Sequence, residues 1–238
     1  ITLLLFILWS YKKETVNVFL LIGIPGIAYA IFYAITHICF VYAIQYTSVA
    51  NTLVIVAGAP IFAAFLSIFF LKEQPTFFTW IIITVAIASM LTIGWGSYTT
   101  TGIFGDFMAL IVAITMGASG VVVRYFKNKD LVPACLLGCV LAGIYSLPFE
   151  IEFNLNLTQI VYLSLMCFVI LPVPFIILTI APKYTPAYQV YLIFLLESVF
   201  GTAWVWFVIN EVPSINTIVG GFTLLSSVII YTIIETRK

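Results

Sequence analysis

The stretch Thr15–Leu71 reads TVNVFLLIGIPGIAYAIFYAITHICFVYAI, then QYT, then SVANTLVIVAGAPIFAAFLSIFFL. Two apolar runs, Thr15–Ile44 and Ser48–Leu71, are parted by Gln45-Tyr46-Thr47, and neither contains Lys, Arg, Asp or Glu. Each is longer than the roughly 20 residues that an α-helix needs to cross a hydrocarbon core. Backbone groups in lipid must pair within their own segment or in a closed barrel. The ten-residue polar–apolar alternation of a barrel strand is absent, so both runs read as transmembrane helices.

Outward from this pair the pattern repeats. Phe77–Gly96, Gly102–Phe126, Leu131–Phe149, Leu157–Ile180, Thr185–Ile209 and Ser214–Ile234 are further apolar runs with short polar breaks between them. At the other end, Ile1–Trp9 is too short to cross and has no basic stretch before it, so it reads as the tail of a helix beginning upstream. Of 238 residues 63% are hydrophobic and 8% charged, with mean hydropathy +1.22. A soluble domain carries about 25% charged residues, so lipid must cover much of this surface. The net charge of zero and the lack of any basic block argue against a nucleic-acid partner.

The charges sort by side. With Lys12 and Lys13 placed in the cytoplasm and sides alternating at each helix, all nine Lys and Arg residues fall inside. Glu150, Glu152 and Glu211 fall outside, as the positive-inside rule requires. An internal repeat accompanies this topology. Ala43-Ile44-Gln45-Tyr46-Thr47 resembles Ala181-Pro182-Lys183-Tyr184-Thr185, an offset of 138 (184 − 46). The same offset pairs Phe62 with Phe200, Glu73 with Glu211 and Pro75 with Pro213. Five crossings separate Tyr46 from Tyr184, so equivalent loops lie on opposite sides of the membrane. Two halves of inverted topology, residues 1–97 and 102–235, are expected, an arrangement that lets a central site open to either side.

Several polar residues lie at membrane depth, where a charged side chain costs about 2.5–3.5 kcal/mol on insertion scales. Glu197 shares a helical face with Val190, Phe194, Gly201 and Trp204. It is expected either to meet an amine-bearing solute or to hold a neighbouring helix while protonated. Tyr29, Tyr33, Thr36, His37 and Phe40 form one stripe, with His37 the single histidine, fit either to relay protons or to pack. Asn51 opens a second stripe with Ile55, Gly58 and Phe62. The substrate-binding set expected on these grounds is Tyr33, His37, Asn51, Phe194, Glu197 and Trp204. Asp106 reads as a helix N-terminal cap, and Arg124, Lys127 and Lys129 as headgroup-seeking cations. Pro172 and Pro174 each remove a backbone donor and should break their helix. Cys135 and Cys139 share a face but read as small buried hydrophobes, so no metal site is expected.

Together these features resemble the drug/metabolite transporter superfamily, in particular its EamA-type members. The resemblance rests on Tyr42–Thr47, Ala59-Pro60, Leu71-Lys72-Glu73-Gln74-Pro75, Gly105-Asp106, Leu195-Leu196-Glu197 and Asn210–Ser214. One departure is Ser198, which stands where the first repeat has Pro60. The resemblance implies an all-α polytopic bundle of two inverted five-helix repeats, of which the first helix and most of the second are missing here. It also implies a secondary transporter, exporter or exchanger, of small organic metabolites such as amino acids, amines or drugs, in a bacterial inner membrane. Such a carrier uses no cofactor and has a solute and the bilayer as partners, with coupling to protons, to another ion or to exchange. No phosphate-binding glycine loop, Gly-x-Ser-x-Gly or His-Glu-x-x-His occurs, so no enzyme is expected. The competing readings are an intramembrane enzyme with Glu197 and His37 as acid–base pair, and a non-transporting scaffold.

Overall fold

A computed structural model describes residues 22–95, 102–148, 156–209 and 214–236. Every regular element among them is helical: α1 (Gly23–Tyr46), α2 (Val49–Val56), α3 (Ala59–Leu66), α4 (Phe77–Gly94), α5 (Ile103–Tyr125) and α6 (Val132–Ser146). Then follow α7 (Leu157–Leu165), α8 (Pro172–Ile180), α9 (Ala187–Phe194), α10 (Leu196–Ile209) and α11 (Ile215–Thr236). Short polar side chains start several of them. Ser48, Thr76 and Ser214 each accept a bond from the backbone amide three residues on, and Asn156 and Gln159 form a reciprocal capping box. Lys72, at φ +57, closes the π-turn Ser67–Leu71 that ends the α2–α3 span.

Among the described residues, six helices or helix pairs are long and apolar enough to cross a membrane: α1, α2–α3, α5, α7–α8, α9–α10 and α11. The chain is therefore an all-α, multi-pass membrane protein. Two expected spans are shorter. Helix α6 has 15 residues, a rise of about 22 Å. It runs parallel to α1 over most of that helix's depth, with Cys135 beside Tyr29, Cys139 beside Tyr33 and Tyr145 beside Tyr42. Helix α4 lies antiparallel to α11, with Thr79 near Tyr231 at one end and Ser89 against Gly220 at the other. The described part of the first expected span is helical from Gly23; residues 15–21, the Ile1–Trp9 tail, Lys12, Lys13, Glu150, Glu152, Glu211, Arg237 and Lys238 lie outside the described residues.

Helix α5 is the central post, packed against α1, α2, α3 and α9. Two glycines permit this. A Cβ on Gly117 would lie 2.8 Å from the Ala63 backbone nitrogen, and one on Gly120 2.6 Å from the Tyr191 ring. The described polar connections sort to two ends. Glu73, Arg124, Lys129, Asp130 and Lys183 gather at the end that the positive-inside rule assigns to the cytoplasm, the inner end. Thr47, Gly102, Gly105 and Asp106 gather at the outer end.

Two spans break in mid-membrane. Helix α2 ends at Val56 and α9 at Phe194, so eight-residue segments stop at positions related by the offset seen in the sequence. In the first span Pro60 follows the break and has no amide proton to continue the ladder. Near it, Gly58 and Ile61 donate to the carbonyls three residues back, both at 2.9 Å. The second span has serine at the matching position: Ser198 Oγ donates to the Leu195 carbonyl at 2.8 Å, but Ser119 and Ser227 make the same bond three residues back inside unbroken α5 and α11, so this bond by itself does not account for the break. The α7–α8 span is interrupted as Pro172 and Pro174 require. A π-turn covers Met166–Ile170, and Leu171 N donates to Met166 O at 3.0 Å before Pro172 opens α8.

Candidate functional site

Tyr29, Tyr33 and His37 descend one face of α1 at four-residue intervals, and α6 and α8 close over them. The deepest layer is a satisfied polar lock. Thr179 Oγ1 donates to the Phe175 carbonyl at 2.7 Å and accepts from the Tyr29 hydroxyl at 2.7 Å and the Cys135 thiol at 3.0 Å. All three side chains are buried. One level outward, Tyr33 stacks on His37 with ring centroids 4.1 Å apart, and Phe175 meets both rings at 5.6 and 4.7 Å. The Cys139 thiol lies 3.8 Å from the Tyr33 hydroxyl. Gly138 makes the contact between α1 and α6 possible, since a Cβ there would fall 2.7 Å from the Tyr33 ring.

His37 Nδ1 lies 2.8 Å from the Tyr33 carbonyl oxygen. A carbonyl only accepts, so Nδ1 carries the proton, and Nε2 of the neutral ring is an acceptor. Among the described residues nothing donates to Nε2. His37 is half-buried, at the edge of an otherwise enclosed aromatic cluster. The group that this corner leaves open is the His37 acceptor, since the Tyr33 ring is buried between His37, Phe175 and α6.

The other expected site residues lie elsewhere. Asn51 is buried at the outer end, where its Nδ2 donates to Thr47 Oγ1 at 3.2 Å and reaches Asp106 Oδ1 at 3.5 Å. Thr47 Oγ1 donates to the same Asp106 oxygen at 2.7 Å. These bonds tie the α1–α2 turn to the first turn of α5. Phe194 is half-buried against the core, Glu197 is exposed, and Trp204 is 72% exposed. The expected stripe from Val190 to Trp204 is not continuous, because the break at Leu195 separates α9 from α10. Glu197 makes no hydrogen bond or ion pair among the described residues, and an added Cβ on Gly201 would meet nothing within 4 Å. No hydrogen bond or ring contact links Tyr33 or His37 to Glu197 or Trp204 among the described residues. The structure thus joins Tyr33 to His37 and leaves Asn51 and the α10 residues apart from them.

Sequence reasoning missed the partners of the stripe. Cys135 and Cys139, expected as small buried hydrophobes, also face Tyr29 and Tyr33 in register, Cys135 buried and Cys139 half-buried. The equal four-residue spacing of the two pairs was the available signal. Phe175 and Thr179 carried none, because only the packing of α8 brings them to α1.

Comparison with known proteins agrees with this architecture. No curated protein matches the chain significantly. A protein of known crystal structure superimposes with a TM-score of 0.71 over 99% of this chain and 97% of its own, at 13% identity. That likeness speaks to fold alone. The model of the EamA-like transporter family matches residues 1–95 and 103–233, nearly the whole sequence. With its apolar helices crossing a bilayer and that match on both sides of residues 96–102, the chain belongs to the EamA-like transporter family.

Proposed function

We propose that this chain is a secondary transporter of small organic metabolites, amino acids, amines or drugs, that works by alternating access of two inverted repeats. The observation that carries the proposal is the pair of matched mid-membrane breaks, after Val56 and after Phe194. Two equivalent weak points, one in each half, are what a bundle needs if each half is to bend in turn about a shared site. Both broken spans lean on α5 through Gly117 and Gly120, so one post serves both hinges.

His37 and Tyr33 are assigned to the solute site, His37 through its free acceptor and Tyr33 by stacking on the His37 ring. Glu197 is assigned to charge recognition or coupling, because an acid at membrane depth without a protein partner is costly unless it meets water, a proton or a solute. Phe194 and Trp204 flank it as apolar surface, and Asn51 supports the outer closure. The bilayer is a bacterial inner membrane on the resemblance. Chemical conversion of the solute is not part of this reading.

Purified full-length protein in proteoliposomes, screened with radiolabelled amino acids, amines and drugs under an imposed proton gradient or with counter-solute, tests the proposal. Saturable flux of at least one class is expected, lowered by His37→Gln and altered in pH profile by Glu197→Gln. Flux absent for every class, in a folded protein and in both orientations, would refute transport. Unchanged flux in both variants would remove only the residue roles.

A further inference from the structure

We propose that the outer ends of α1, α5 and α6 form an aromatic cage for a weakly hydrated organic cation, a quaternary ammonium group, held without a carboxylate partner. A cavity of about 500 Å³ opens there, within the range of small-molecule sites. Tyr42 and Tyr46 come from α1, Phe104 from α5 and Tyr145 from α6. Tyr46 meets Phe104 edge-to-face at 5.2 Å, and Tyr42 meets Phe104 and Tyr145 edge-to-face, each at 6.4 Å. The Tyr42 and Tyr145 hydroxyls lie 2.8 Å apart and fix two of these walls. Tyr42 and Tyr46 stack at 6.2 Å and 25°, while Phe104 and Tyr145 stand nearly at right angles to them (85°, 81° and 73°), so the four rings border the cavity in two orientations.

The remaining walls are aliphatic or sulfur-bearing, including Met108 and Cys39, and no lining residue is charged. Asp106, two residues beyond Phe104, does not line the cavity, and its carboxylate is engaged by Thr47. The chemistry of the occupant follows. Ring faces carry negative potential, so an anion is repelled and a cation attracted. A primary ammonium is strongly hydrated, and without a carboxylate the rings cannot replace its water. A trimethylammonium group is weakly hydrated, presents methyl groups to the rings and needs no hydrogen-bond acceptor.

The proposal deepens the transport reading by naming a solute class. Its test reads binding alone, so failure here leaves transport standing, and absent flux leaves the cage standing. Choline and its uncharged isostere 3,3-dimethylbutan-1-ol are titrated against the purified chain by calorimetry. Choline should bind roughly tenfold more tightly than the isostere, and Phe104→Leu and Tyr46→Leu should each weaken choline by roughly three- to tenfold. Tyr42→Phe keeps the ring but removes the hydroxyl that fixes two walls, and should weaken choline less than Tyr46→Leu does. If the leucine variants misfold, 3,4,5-trifluorophenylalanine placed at position 104 reduces the ring's negative face with little change in size, and choline affinity should fall. Equal binding of choline and the isostere, or choline binding indifferent to fluorination, overturns the cage.

Discussion

Arg124 Nε lies 2.8 Å from Glu73 Oε1, and Arg124 Nη1 reaches the Lys183 carbonyl oxygen at 3.1 Å. One guanidinium thereby pins together the end of α5, the turn after α3 and the chain entering α9. Lys183 Nζ lies in turn 3.6 Å from Asp130. The sequence points Arg124 to the lipid headgroups and marks Glu73 only as the repeat partner of Glu211. The structure makes both part of an inner-end closure. The pair is partly exposed, with side chains at 19% and 28%, so its contribution is modest, about 1 kcal/mol.

Arg124→Met removes both bonds and leaves the Glu73 carboxylate uncompensated, whereas Glu73→Gln keeps an oxygen that can accept from Nε. The methionine variant should lose about 1–2 kcal/mol and the glutamine variant less than half of that. Thermal unfolding in detergent, read by intrinsic fluorescence, ranks them. An equal loss in the two would mean that charge, rather than the hydrogen bonds, holds the closure.

Alanine at four glycines should give a graded series. Gly117→Ala brings a Cβ to 2.8 Å from a backbone nitrogen, which cannot yield, and Gly138→Ala brings one to 2.7 Å from the buried Tyr33 ring and 3.0 Å from the Ala30 carbonyl oxygen, where only the ring can give a little. Gly143→Ala and Gly201→Ala meet nothing within 4 Å. Overpacking predicts losses of about 1–3 kcal/mol, with Gly117 worst. The two open positions should be neutral or gain up to about 1 kcal/mol from helix propensity. Melting temperatures in that order support the packing; a harmful Gly201→Ala contradicts it.

Thr179→Val keeps the shape but deprives the Tyr29 hydroxyl and the Cys135 thiol of their shared acceptor. A loss of about 1–3 kcal/mol is expected because these groups stay buried. Thr179→Ser, which retains the hydroxyl, should recover most of it. If valine is as stable as threonine, the lock contributes nothing and α8 is held by apolar packing alone.

Ser198→Pro should be tolerated. The position lies in the first turn of α10, and proline sacrifices a single 3.2 Å bond from Ser198 N to Leu195 O. Under about 1 kcal/mol is expected, against about 3 kcal/mol for Val112→Pro in the middle of α5. Comparable damage at the two sites would show that the second break is not the counterpart of the first.

Single cysteines placed at Lys127 and Glu152 should react with membrane-impermeant reagents from opposite compartments. Labelling of both from one side would overturn the alternating topology and, with it, the inverted relationship of the halves.

The sequence alone determined that this is a helical membrane protein, roughly where its spans run, and which family it joins. Those properties depend on local quantities: apolar length against bilayer thickness, the sorting of Lys and Arg, and short motifs such as Ala59-Pro60 and Leu71–Pro75. It also foretold the interruption at Pro172, because proline removes its amide wherever it stands. The break at Leu195 was not legible, because residues 192–198 contain no proline or glycine, and serines bonded back to their own helix, such as Ser119 and Ser227, sit in unbroken helices. Tertiary structure alone decided which members of each polar stripe meet. In lipid every helix face is apolar enough to be buried, so hydropathy does not say which face meets which neighbour. Close approach at Gly117, Gly120 and Gly138 makes that choice. It places Tyr33 and His37 beneath Phe175, turns Asn51 to Asp106, and leaves Glu197 on a face that no described residue covers.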